Sequence, residues 1–140
     1  MSERGLIRRS SLHGFDKTIE LLTIAIEKGG MRLAAKIDHS AAARAAGLSL
    51  RGTVVLIFGN AQAGTPLMLR NQEVGIDLPL KILVWDNAEG MAHVSYNAPA
   101  WIAERHGLVG MKAMLAVLER ALAEVVEGVA SPDGAECPPS

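Results

Sequence analysis

The chain is expected to fold as an α+β two-layer sandwich, with a mainly antiparallel sheet and helices packed on one face. Three observations lead to this. The segment order strand, helix, strand, strand, hairpin strand, helix does not alternate regularly enough for a doubly wound parallel sheet. The runs 53–58 and 80–85 are apolar at all but one position each, as buried strands are. Only two long amphipathic stretches are present, and two helices naturally cover one face of a sheet.

Gly5 to Arg9 reads as a short first strand, broken by Ser10, Ser11 and Gly14. Phe15, Ile19, Leu22 and Ile26 then follow one helix face, with Asp16, Lys17, Glu20 and Glu27 opposite, and Gly29-Gly30 ends that helix. Residues 31–38 alternate, Met31, Leu33, Ala35 and Ile37 against Arg32, Ala34, Lys36 and Asp38, which predicts a half-buried strand. Ser40 is expected to cap a short alanine-rich helix ending at Gly47. After the strand 53–58 comes a loop, 59–64, with glycine at both ends. Thr65 and Pro66 have the residue types of an N-cap and a first helical position, so a brief helix is expected over 66–71.

Asp77-Leu78-Pro79 marks an extended entry to the strand 80–85, since proline suits a strand start. The turn 86–90, rich in Asn, Asp and Gly, then joins it to a strand over 91–96 as an antiparallel hairpin. Asn97 is placed to cap a helix through Pro99 and Trp101 that Gly107 terminates. The last helix, 110–127, sets Met111, Leu115, Leu118, Leu122 and Val125 on one stripe.

At 140 residues the chain is expected to be one domain over 1–130 with a flexible tail over 131–140. A net charge of −1 and only 4% aromatic residues argue against nucleic acid as a partner. No run reaches membrane-spanning length and no signal peptide is evident, so the expected setting is the cytoplasm. The one cysteine, Cys137, excludes an internal disulfide and a thiolate metal site within the chain. Two helices leave the second face of an apolar sheet uncovered, and a second copy of the chain covers it economically, so a homodimer is expected.

Ile37-Asp38-His39, the block from Phe58-Gly59-Asn60 to Gly64-Thr65-Pro66-Leu67-Met68, Asp77-Leu78-Pro79-Leu80-Lys81, Trp85, and Ser95-Tyr96-Asn97 with Pro99 carry a resemblance in their order and spacing. Together they resemble the domain of unknown function 302 family of bacteria and archaea, over roughly 5–126. The resemblance implies a compact α+β domain with an antiparallel sheet and brings no settled activity. Two departures from the family pattern stand out. Ala61 occupies a position where proline is common, and Ala98 one where aspartate is common.

The stretch 58–68 is the candidate ligand site. Backbone donors at a helix start, with the amides of Asn60 and Gln62 nearby, suit an anionic or carbonyl oxygen. Gly64 and Thr65 belong to the same site, Thr65 as a cap rather than a nucleophile. His39, just beyond a strand at a helix start, is the candidate general base, and its structural alternative is a bond to a nearby backbone group. Trp85 and Tyr96, on paired strands, serve as core or pocket wall, with Tyr96 included among the ligand-binding candidates. His39, His93, His106 and Asp86 lack the local spacing of metal ligands, and the Gly59 to Thr65 loop lacks the Gly-Lys-Ser/Thr ending of a phosphate loop. No metal or cofactor is therefore expected. The best reading is a small-molecule-binding domain centred on 59–66 near His39. One alternative is an enzyme with His39 as base and Asn60 plus helix-start amides stabilising an oxyanion. The other is a structural or protein-interaction domain.

Overall fold

The computed structural model describes residues 4–131. The strands are β1 (Leu6–Ser10), β2 (Arg32–Asp38), β3 (Thr53–Gly59), β4 (Leu80–Asp86) and β5 (Ala92–Asn97). The helices are α1 (Phe15–Lys28), α2 (His39–Ala45), α3 (Ala61–Arg70), α4 (Pro99–Arg105) and α5 (Lys112–Glu127), with a 3-10 segment at Gln72–Asp77. Of the expected tail over 131–140, all but Ser131 lies outside the described residues, Cys137 included.

All neighbouring strands pair antiparallel, in the order β1-β5-β4-β3-β2. Val54, Leu56 and Phe58 of β3, Ile82 and Val84 of β4, and Val94 of β5 are all but inaccessible and face the same side. Leu22 and Ile26 of α1 and Leu118, Leu122 and Val125 of α5 join them in one core, together with Leu67, Val74 and Ile102. Burial of each such side chain stabilises the fold by about 1.5–3 kcal/mol, which is why the stripes of α1 and α5 were readable from spacing alone. Val55, Ile57 and Leu83 lie on the opposite face, outside that core, and are only part-buried. The α+β class and the one-sided helical layer are as expected.

Four local expectations are corrected. The loop 59–64 is not a loop: α3 begins at Ala61, capped by Asn60, and Pro66 sits inside it. The helix continues because Asn60 Oδ1 accepts the Ala63 N–H at 2.7 Å, while Ala61, Gln62 and Ala63 are compatible with helix from the first turn. Thr65 therefore caps nothing. At α2 the cap is Asp38, which accepts from Ala41 N–H, and Ser40 instead donates to Asp38 Oδ1 at 2.6 Å and accepts from Thr53 N–H at 3.1 Å. Asn97 remains in β5 opposite Leu6, and the cap position of α4 falls to Ala98, with Pro99 at the helix start.

The fourth correction concerns β2. Its register against β3 shifts between Leu33 and Ala35, leaving Ala34 as a bulge. Leu33 opposes Phe58 on the core side and Ile37 opposes Val55 on the other, so the strict alternation does not define one buried face. As the edge of the sheet, β2 is mostly exposed, and Ile37 keeps 44% of its surface accessible.

Candidate functional site

A cleft of about 740 Å³ opens at the end of the sheet where β2 begins and β3 ends. Ala34 at the bulge lines it, α3 contributes Ala63, Gly64, Thr65 and Met68, and the 3-10 segment with Leu78 and Pro79 supplies the far wall. Its floor is continuous with the core, because Met31, Leu80 and Leu118 are buried core members that also line it. Leu33, Met68 and Leu78 extend the apolar lining.

The polar lining is small and of one kind. Among the described residues, Arg32 is the single ionisable one that lines the cleft, and it makes no ion pair with any of them. Asn60 lines it too. The cap bond fixes the orientation of that amide, since Oδ1 must face the Ala63 N–H, which leaves Nδ2 as a donor with no acceptor among the described residues. Thr65 adds a hydroxyl. Among the described residues no carboxylate lines the cleft, so its electrostatics favour negative charge.

The far wall is pinned from outside. Asp77 receives Arg105 Nη1 at 3.0 and 3.1 Å and is bonded to His106 Nε2 at 2.6 Å, with the His106 side chain 7% exposed. Asn71 Nδ2 donates to the His106 carbonyl at 3.0 Å. These bonds tie the 3-10 segment to the end of α4.

Among the sequence-derived candidates, the structure brings Asn60, Gly64 and Thr65 to this cleft together with Gly59. It does not bring His39. Because β2 and β3 are antiparallel, Arg32 opposes Gly59 at the cleft end while Asp38 opposes Val54 at the other. His39 follows Asp38, so it is separated from Asn60 by the length of β2, about 20 Å. A single catalytic pocket of His39, Asn60 and helix-start amides is therefore not formed within one chain. Gln62 is exposed on α3 outside the cleft lining. Tyr96 is buried under the helical layer opposite Ile82, where burial pushes its hydroxyl above the usual phenol range.

A second polar group lies on the open face of the sheet. Trp85 and His93 oppose each other on β4 and β5, with ring centroids 4.7 Å apart. Trp85 Nε1 donates to Ser95 Oγ at 3.0 Å, the Arg8 guanidinium stands 6.0 Å from the Trp85 ring, and Asn87 Nδ2 bonds His93 Nε2 at 2.9 Å. His93 is buried rather than solvated, and that burial, with Arg8 beside it, holds its imidazole below the usual pKa. Burial and the nearby Asp16 raise Asp86 above the carboxylate range, and its Oδ1 is buried without a hydrogen-bond partner. At the His39 end, hydrogen bonds from Ser40 and the Ala41 N–H hold Asp38 below that range. Among the described residues no three His, Cys, Asp or Glu side chains gather as metal ligands.

The model of the family described as "Domain of unknown function DUF302" matches residues 7–126. The chain belongs to this family. The fold of this DUF302 domain is shared with the crystal structure of an uncharacterised conserved DUF302 protein from Bacillus stearothermophilus, at a TM-score of 0.81. That likeness covers 89% of this chain and 98% of the other at 21% identity. Among curated proteins, the DUF302 domain is 39% identical over 118 residues to the protein named fluoride-specific ion channel FluC 1 of Brucella suis biovar 1. The match takes in 81% of this chain and 46% of that protein. The protein named FluC 2 of Brucella melitensis biotype 1 is equally similar, with 44% of its length matched. The chain thus spans less than half the length of these relatives.

Arg32 and the cleft residues Met31 and Leu118 were missed by sequence reasoning, whereas Met68 lies within the stretch 58–68. An arginine opening an alternating strand has the pattern of a solvated face, and the methionine and leucine positions have that of ordinary core. The extra residue at Ala34, which lines the cleft, carries no sequence signal.

Proposed function

We propose that this DUF302 domain binds a small molecule that presents an anionic or carbonyl oxygen to the cleft mouth and an apolar part to its floor. The cleft itself carries the reading, because among the described residues it combines an apolar floor with a mouth that offers donors and no carboxylate. Its volume of about 740 Å³ falls within the range of small-molecule sites, about 300–1,000 Å³. The test is native mass spectrometry of the gently purified protein beside a Thr65→Trp variant, which fills the mouth from an exposed helix position. The expected result is an added mass that the variant lacks. A bare protein that also gains no thermal stability from a chemically diverse metabolite set would defeat the reading.

The domain acts, in this reading, as a homodimer. Val55, Ile57 and Leu83 form an apolar strip on the sheet face that the helices leave open, and a second copy would bury it. Light scattering is expected to give a dimer for the native chain and a monomer for Ile57→Glu. A native monomer at micromolar concentration would remove this part of the proposal.

The partial match to proteins named fluoride-specific ion channels favours a second reading, a role beside an anion channel. No described helix is long and apolar enough to cross a membrane, and a pore needs spanning segments, so this domain would serve such a channel without forming its pore. Deleting the chain from its host should then alter growth in fluoride. Unchanged fluoride sensitivity would argue against that role.

A further inference from the structure

The inventory of the cleft narrows the ligand further, and this step rests on the cleft reading above. A polyphosphate or a dicarboxylate carries more charge than one guanidinium can match, and Arg32 is the single cation among the described residues that line the cleft. A neutral sugar needs several acceptors and donors, yet the polar side chains lining the cleft besides Arg32 are Asn60 and Thr65. What remains is one negative charge and a substantial apolar surface. Met31, just before β2, and Met68 of α3 both line the cleft, and their unbranched thioethers adapt to tails of differing shape. Asn60 Nδ2, left over from capping, can share the second oxygen of a planar anion.

We infer that the cleft takes a monocarboxylate with an apolar tail, of the size of a medium-chain acyl acid. The carboxylate sits at the mouth against Arg32 and Asn60, and the tail lies on Met31, Met68, Leu80 and Leu118. Each methylene that reaches the floor should tighten binding about fourfold until the floor is covered.

Calorimetric titration of the full chain with octanoate, 1-octanol and octylammonium tests this, using Arg32→Gln and Thr65→Trp as variants whose folding is checked by circular dichroism. Octanoate is expected to bind about tenfold more tightly than octylammonium, to lose about tenfold in Arg32→Gln, and to lose measurable binding in Thr65→Trp. The affinity of 1-octanol should be the same in the native chain and Arg32→Gln. If all three probes bind alike and Thr65→Trp abolishes them, the carboxylate assignment is wrong while the cleft stands as a binding site. If none binds, or binding survives Thr65→Trp, the assignment and the cleft reading fall together.

Discussion

Asn60 has two separable jobs, and two substitutions divide them. Its Oδ1 caps α3 through the 2.7 Å bond from Ala63 N–H, and its Nδ2 is a donor at the cleft. Asn60→Ala removes both. Loss of a cap of this kind destabilises by about 1 kcal/mol. At about 2.1 cal/mol/K of unfolding entropy per residue, a chain of this length should lose about 3 °C in Tm. Asn60→Asp keeps an acceptor for Ala63 N–H and adds a negative charge at the positive end of the helix, a gain of about 0.3–1 kcal/mol. Its Tm should equal or exceed the native value. Binding should move the other way, because a carboxylate at the mouth repels an anionic ligand by about 1 kcal/mol, roughly fivefold in octanoate affinity. Thermal unfolding followed by circular dichroism, with titration calorimetry on the same samples, reads both quantities. If Asn60→Ala leaves Tm unchanged, or if Asn60→Asp destabilises while binding octanoate as well as the native chain, the two-role assignment is refuted.

Gly5 has φ of +78°, and a Cβ there would lie 2.1 Å from Trp101 Cγ, so Gly5→Ala should destabilise by more than about 2 kcal/mol in urea unfolding, and Trp101→Ala in the same chain should restore part of the loss. Asp86 is raised by burial, so the native fold favours its protonated form; the stability it supplies is complete below the ordinary carboxylate range and is lost as pH rises through the raised value. Asp86→Asn should therefore raise Tm at pH 7, with the difference shrinking toward pH 3; an equal Tm difference at both pH values would contradict the assignment. Asp77→Ala removes the partner of a nearly buried His106 nitrogen and should lower stability by about 2 kcal/mol and weaken cleft binding by loosening the wall of Leu78 and Pro79, whereas a loss of stability with unchanged octanoate affinity would show that the tether does not shape the cleft.

The layer architecture was legible because it rests on periodicity. The stripes of α1 and α5 and the largely apolar stretches of β3 and β4 are long enough for burial to dominate every local preference. Helix starts were less legible, because residue type alone does not choose among nearby capping candidates. Thr65-Pro66 has the residue types of a cap and first position, yet the hydrogen bond made by Asn60 starts α3 earlier. Asp38 and Ser40 are both good caps, and register decided between them once Ser40 was needed to satisfy the Thr53 N–H. The candidate site was half legible. Asn60, Gly64 and Thr65 are local to one stretch, whereas the placement of His39 depends on strand direction, and the Asp77 to His106 bond joins residues 29 apart.

The bulge in β2 has a consequence beyond the cleft. An outermost strand with free backbone groups is a template for further strands, and a chain with 49% apolar residues has reason to keep that template unusable. The extra residue at Ala34 interrupts the even spacing of the rim, and Arg32, Lys36 and Asp38 place charge along it. A second sheet aligned to the rim would find its ladder out of step after two or three residues. The distortion beside the cleft would thus guard against fibrous growth, and repairing it by deleting Ala34 should make the protein more prone to aggregate.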